Sequence, residues 1–255
     1  MLAIQEHLLT GNTPTERFAL AKEFGFDAVE IRAEGFVGND DALMNYARAM
    51  DATEMPISGL FMGNLQGMLS ANLALRDHSI DVVRQALTDA HDLRIPIVTV
   101  IPQPAHAHVE MTAAQERELL IWFVRVVNDL AGAMSTTLCL LPLEPTQARV
   151  LNTLQDTYAA LEEMRFHPFV AMSADLASLQ TQNENGDLIR YTPMIRNLYV
   201  AYDDSSNMIK TFANLQFDGV VTLSRSFDTT TSTPISRELL MQAQKNLTFS
   251  RQLTD

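Results

Sequence analysis

Short apolar runs rich in β-branched residues return eight times along the chain, at 2–9, 28–31, 57–61, 95–101, 137–143, 169–172, 198–201 and 220–223. Their starts lie about 31 residues apart, the length of one strand-and-helix unit. The segments between them carry helix grammar. Thr13-Pro14-Thr15-Glu16 supplies an N-cap, a proline at the first helical position and a capping glutamate; Phe18, Leu20, Ala21 and Phe24 give the apolar side, and Gly25 follows where a left-handed residue ends a helix. The same pattern recurs at Thr112 before the helix through Trp122 and Val126, and at Thr153 before Tyr158, Leu161 and Met164. Eight strand-then-helix units predict an α/β fold, a single (β/α)8 TIM barrel spanning residues 1–255. A doubly wound open sheet is the alternative. It would often show a glycine-rich phosphate turn after its first strand, whereas Thr10-Gly11-Asn12-Thr13 holds one glycine, so no nucleotide cofactor is expected. No linker divides the chain, and the one biased tract is the short stretch from Thr229 to Pro234.

Composition narrows the class. With 255 residues, 47% of them hydrophobic and 19% charged, the chain can bury a core without disulfides or a structural metal. Cys139, the single cysteine, cannot form an internal disulfide and is expected as a buried strand residue without a redox role; together with an N-terminus lacking a signal pattern, it points to the cytoplasm. No apolar run is long enough to cross a membrane. Eighteen Lys and Arg against 31 Asp and Glu leave a net charge of -13, which repels phosphate backbones, so no nucleic-acid partner is expected. Trp122 and the scattered methionines have helical spacing and are expected in the core, and His78 and His91 on a helix surface.

In such a barrel, chemistry sits at the C-terminal strand ends, where the loops converge on one mouth. The polar residues there are Glu6 and His7, then Glu30, Arg32 and Glu34, then Asn64, then Gln103, His106 and His108, then Glu144, Gln147 and Arg149. Asp175 and Ser178 follow the sixth run, Tyr202, Asp203 and Asp204 the seventh, and Ser224, Arg225 and Asp228 the eighth.

The stretch Gly25-Phe-Asp-Ala-Val-Glu30-Ile-Arg32, the Leu143-Glu144-Pro145 and Ala174-Asp175 strand ends and Phe217-Asp218-Gly219 resemble, in order and spacing, the xylose-isomerase-like TIM barrels, which include sugar phosphate isomerases and epimerases and the endonuclease IV group. The resemblance implies a divalent metal held by a glutamate from strand five, an acid from strand six, a histidine from strand seven and a glutamate from strand eight. The two glutamates would also serve as acid and base on adjacent sugar carbons. Glu144 and Asp175 match the first two positions, with Glu144 as the catalytic and metal-binding candidate and Asp175 as its metal-binding neighbour. Ala201 and Ser224 stand at the other two, and Ser178 replaces a further histidine often found there. A weak Mg²⁺ or Mn²⁺ site is therefore the expectation, with metal-dependent activity weakened or lost.

The resemblance further implies a small-molecule sugar or sugar phosphate as ligand, with His7, Glu30, Arg32, Arg149 and Arg225 as substrate-binding candidates. Glu30 and Arg32 sit two apart on a strand, so both can face one side and hold a sugar hydroxyl and a carboxylate or phosphate; a bracing ion pair is the alternative. Glu144 has its own alternative as a partner of Arg149 or Arg225, and Asp175 as an N-terminal cap. Two function classes stay open beside the isomerase: a non-catalytic sugar-binding or interaction protein on the same fold, and an endonuclease-like phosphodiesterase, which the acidic balance disfavours. Barrel relatives often pair, so a homodimer is expected.

Overall fold

The computed structural model describes residues 1–65, 67–102, 111–144, 150–181, 185–202, 217–225 and 234–252. Eight parallel strands close on themselves in sequence order: β1 (Leu2–Gln5), β2 (Ala28–Arg32), β3 (Ile57–Asn64), β4 (Ile97–Ile101), β5 (Thr137–Leu140), β6 (Val170–Asp175), β7 (Ile195–Ala201) and β8 (Val220–Ser224). The barrel closes where Leu2, Ala3 and Ile4 of β1 pair with Val221, Thr222 and Leu223 of β8. Eight α-helices lie among the described residues: α1 (Pro14–Glu23), α2 (Asp40–Thr53), α3 (Leu73–Asp92), α4 (Ala113–Ala133), α5 (Leu154–Glu163), α6 (Leu176–Thr181), α7 (Asn185–Tyr191) and α8 (Arg237–Gln252). Closure removes the open-sheet alternative.

The helix starts obey the capping chemistry read from the sequence. Thr13 Oγ1 accepts from Glu16 N, Thr153 Oγ1 accepts from Asp156 N, and Thr112 with Gln115 forms a reciprocal capping box. Each such cap contributes about 1 kcal/mol. α1 also ends as expected: Gly25 takes a φ of 79°, and Phe26 N donates to Ala21 O. Three later helices end with the same turn but without glycine. Arg94, Ser135 and Arg165 occupy the left-handed region while Ile95, Thr136 and Phe166 donate back to Ala90, Ala131 and Leu161.

Successive strand residues alternate between the helical jacket and the interior. The interior therefore stacks in layers. Ala3, Ala28, Ile97, Cys139, Ala171 and Val220 make an apolar floor, small enough at three positions to fill the narrow barrel. Phe61, Ile101, Leu141, Leu143 and Tyr199 make an upper apolar layer under the mouth. Between the two lies a polar layer, described below. The larger core packs the outward strand faces, among them Ile4, Val29, Ile31, Leu60, Val98 and Leu223, against the helices.

Cys139 is fully buried, as expected, and burial pushes its thiol up to about 12. His78 and His91 are exposed on α3. Trp122 is a correction: it is 42% exposed on the outer face of α4, with the Arg76 guanidinium 6.0 Å from its ring centroid. Helical spacing alone does not separate the inward face from one shielded by a cation. No helix among the described residues is long and apolar enough to cross a membrane.

Candidate functional site

Strand β2 runs from floor to mouth, and at period two Ala28, Glu30 and Arg32 share its inner face. Glu30 does not reach the mouth. It is 1% exposed, and its carboxylate accepts from Gln5 Nε2 at 2.8 Å, Asn197 Nδ2 at 2.9 Å and the Tyr199 hydroxyl at 2.7 Å. Thr222 Oγ1 donates to Asn197 Oδ1 at 2.8 Å, and the hydroxyls of Thr99 and Ser173 lie 3.2 Å apart in the same layer. Burial pushes the Glu30 carboxyl from 4.5 up to about 7, against the pull of its three donors and the Arg32 charge. Burial and the Glu30 charge hold the Tyr199 phenol well above its usual value, so it remains a donor. The expected pairing of Glu30 and Arg32 as adjacent ligand contacts is thus corrected to one buried hub and one exposed group. Among the described residues the two form no ion pair, and the Glu30 carboxylate takes its hydrogen bonds from three neutral donors instead.

The mouth gathers a second set of groups. Arg32 is exposed, and its guanidinium lies 3.1 Å from His7 Nε2. Burial, and after it the charges of Arg32 and Arg225, lower His7 from 6.5 to about 3, so its imidazole is neutral in ordinary solution. Arg225 follows β8 and stacks 5.8 Å from the Tyr202 ring centroid. The charges of Arg32 and Arg225 also oppose each other, while Glu34 and Glu30 favour the charged form of Arg32. His7, Arg32 and Arg225 belong to three neighbouring strand ends, because β1 pairs with β8 on one side and β2 on the other. Glu6, beside His7, is turned away: Arg17 of α1 holds it at 2.7 Å and the Tyr46 hydroxyl of α2 donates to it at 2.7 Å, bracing the outer shell.

Glu144 and Asp175 occupy the ends of two other neighbouring strands. Glu144 is half-buried just past Leu143 of the upper layer, and Asp175 is buried as the last residue of β6. One Asp175 oxygen accepts from Ser178 N at 3.2 Å and Ser178 Oγ at 3.0 Å, the capping arrangement weighed from the sequence. In a closed eight-stranded barrel of this order, β5 and β6 stand across the axis from β1 and β2. Glu144 and Asp175 therefore stand on one side of the mouth, and His7, Arg32 and Arg225, with the Glu34 charge acting on Arg32, on the other.

The resemblance assigns an imidazole to the end of strand seven and a carboxylate to the end of strand eight. Ala201 and Ser224 are direct partners in the β7–β8 ladder, so a methyl and a hydroxyl stand where imidazole and carboxylate would be needed. Among the described residues no three His, Cys, Asp or Glu side chains are grouped to hold a metal. The ends of β7 and β8 fall where the sequence placed them. Arg149, Gln147, Gln103, His106, His108, Asp203, Asp204 and Asp228 lie outside the described residues.

The sequence reading missed Gln5, Asn197, Tyr199 and Thr222, which build the polar layer. A signal was present for three of them: Gln5, Tyr199 and Thr222 are polar residues inside apolar runs, whereas Asn197 lies just outside the run from 198 to 201.

Residues 18–224 match the family model described as the xylose isomerase-like TIM barrel. No curated protein matches the sequence. Solved structures share the fold at low identity. One is 3-keto-D-glucoside 4-epimerase from E. coli, 16% identical over 98% of both chains with a TM-score of 0.79. Another is D-psicose 3-epimerase from Clostridium cellulolyticum with D-tagatose, 15% identical over 100% of this chain and 99% of that one, with a TM-score of 0.81. A third is D-allulose 3-epimerase from Methylomonas sp. with D-allulose, 14% identical over 98% and 96%, with a TM-score of 0.82.

Proposed function

Because this chain belongs to the xylose isomerase-like TIM barrel family, we propose that it is a sugar isomerase- or epimerase-like protein that binds a small polyhydroxylated ligand at the C-terminal mouth, with metal-dependent turnover weakened or lost. The observation that carries this reading is the paired Ala201 and Ser224 at the ends of β7 and β8. A proton relay between two faces of a sugar carbon needs two bases. Here Ser224, a hydroxyl, stands at the strand-eight position where the resemblance expects the second carboxylate, and one missing acid or base group typically removes about 10²–10⁴-fold of rate. The carboxylates that remain, Glu144 and Asp175, supply at most the one or two protein ligands with which Mg²⁺ or Mn²⁺ is held weakly, the rest being water and ligand oxygens.

Ligand binding without turnover is the second reading, and the same pair favours it: the mouth keeps Arg32, His7, Arg225 and Glu144 while the second base is gone. The reading also expects the ligand to be small and the site to lie within one chain.

Thermal melting with D-fructose, D-psicose and D-tagatose, each with Mn²⁺, Mg²⁺ or EDTA, tests both parts for the wild type and Glu144→Ala. A ligand at about 100 times its dissociation constant adds roughly 2.7 kcal/mol, well within reach of a melt. Sugar-dependent stabilisation that Glu144→Ala weakens, without interconversion of the ketoses, is the expected result. Rapid metal-dependent interconversion would overturn the loss of turnover, and the absence of stabilisation by any sugar would overturn the ligand.

A further inference from the structure

Trp122, the single tryptophan of the chain, is the largest apolar side chain left exposed among the described residues. It stands on α4, at a groove of about 420 Å³ shared with the start of α3. Leu119 continues the apolar wall of the groove, and Leu73, three residues before Arg76 on α3, carries apolar surface beyond it at 59% exposure. Two charges of opposite sign line the same groove, Arg76 from α3 and Glu118 from α4. They do not pair with each other, and among the described residues neither has an ion-pair partner. Arg76 is nevertheless fixed in place, because its Nη1 donates to Ser70 O at 2.8 Å and its guanidinium lies over the Trp122 ring. A side chain already ordered in this way can meet a carboxylate without a further loss of rotamer freedom. Tryptophan and arginine are also the side chains on which binding energy between proteins concentrates.

Whatever covers the groove has to answer both charges. A purely acidic partner would pair with Arg76 and repel Glu118, and a purely basic one would do the reverse. A small zwitterion could answer both but would leave Leu73 in water. A second copy of this chain answers both by symmetry: about a twofold axis at the groove, Arg76 of each copy meets Glu118 of the other, and each Trp122 is covered by the apolar wall of its partner. The charge of the whole molecule points the same way. With a net charge of -13, two copies repel wherever acids dominate their surfaces, so a face on which the two signs balance is where they can approach.

We propose that the groove between α3 and α4 is the contact face of a symmetric homodimer, in which Arg76 of each copy pairs with Glu118 of the other around Trp122. The resemblance implies that such barrels pair but assigns no face to the pairing, and the proposal stands apart from whatever the mouth binds.

Sedimentation of the full chain over a range of concentrations tests it, together with the emission of Trp122, which no other tryptophan obscures. The variants are Glu118→Arg, Arg76→Glu and the control Arg237→Glu, a reversal of the same size on α8 across the barrel, where Arg237 pairs with Glu23. The wild type is expected to pass from monomer to dimer as concentration rises, with Trp122 emission moving to shorter wavelength and becoming harder to quench with acrylamide in step. Glu118→Arg and Arg76→Glu each set like charges against each other twice, and should weaken the dimer by at least about tenfold, whereas Arg237→Glu should not. An equimolar mixture of Glu118→Arg and Arg76→Glu chains restores opposite charges at both contacts, so it should dimerise about as tightly as the wild type. That recovery also shows that both variants are folded. A wild type that stays monomeric leaves the groove to a different partner and overturns the proposal. A dimer indifferent to both reversals, or one whose formation leaves Trp122 emission unchanged, places the pairing on another face and overturns it as well. So does a mixture that fails to recover while each variant melts like the wild type.

Discussion

Glu30 and Arg32 share a strand and a face, yet two residues of depth give them opposite roles. Glu30 lies where the barrel is closed around it and spends both oxygens on Gln5, Asn197 and Tyr199. Arg32 lies where the barrel opens, exposed, with one bond among the described residues, to a neutral histidine. A buried polar group is tolerated only when it is satisfied by its neighbours, whereas one at the mouth can remain available for a ligand. Depth along the strand, rather than residue type, separates the buried hub from the exposed group.

The comparison breaks most visibly if its buried half is removed. Glu30→Leu should strand three donors inside the barrel, each costing about 1–3 kcal/mol, for a loss on the order of 3–9 kcal/mol in urea unfolding. Arg32→Gln, at the exposed end of the same face, should change stability by less than about 0.5 kcal/mol. If the two variants unfold alike, the polar layer is not what holds Glu30, and depth does not divide the roles.

Acidity sharpens the same contrast, since the two regions titrate in opposite senses. Glu30 is raised from 4.5 to about 7, so its contribution is full below pH 4.5 and is lost as pH rises through about 7. Over that window the folded state holds a proton that the unfolded state has released, a change on the order of 3 kcal/mol. His7 is lowered from 6.5 to about 3, so its contribution is full above pH 6.5 and is lost as pH falls toward about 3. Between pH 4.5 and 6.5 the two slopes oppose. Glu30→Gln should therefore expose stability that rises with pH across this interval, and His7→Gln stability that falls with it. Parallel curves for both variants would contradict the assignment of one group to the interior and the other to the mouth.

Much of the fold was legible because its requirements are written locally. Strands surrounded by helices need apolar runs, and helix starts need Thr13, Thr112 and Thr153 with their partners. Helix ends were legible only at Gly25, since Arg94, Ser135 and Arg165 adopt the left-handed turn without glycine to announce it. The site was legible as a set of strand ends and not as a depth. Asn197 fell outside the apolar run from 198 to 201 because Arg196 and Asn197 interrupt it, although β7 begins at Ile195. With Asn197 unplaced, the polar layer that claims Glu30 stayed incomplete, and Glu30 read as a partner of Arg32. Trp122 was misplaced for a related reason, because one-dimensional spacing does not contain the Arg76 that covers it.

The smallest expected effect tests how firmly the hub holds Glu30. Gly59 of β3 pairs with Glu30 of β2, and a Cβ on Gly59 would stand 3.2 Å from Glu30 Oε1 and 3.6 Å from its Cγ. The Gly59 backbone is not left-handed, so any penalty comes from contact rather than from dihedral strain. A free carboxylate would swing aside by a few tenths of an ångström at little cost. One held by three donors cannot move without lengthening at least one bond, so Gly59→Ala should lose about 1–2 kcal/mol in urea unfolding. The same substitution made in Glu30→Ala should cost far less, because the crowded oxygen is gone, and the difference is the coupling that a double-mutant cycle measures. Equal losses in both backgrounds would place the crowding at Ile97 O, the third neighbour at 3.8 Å, and would show that Glu30 yields freely.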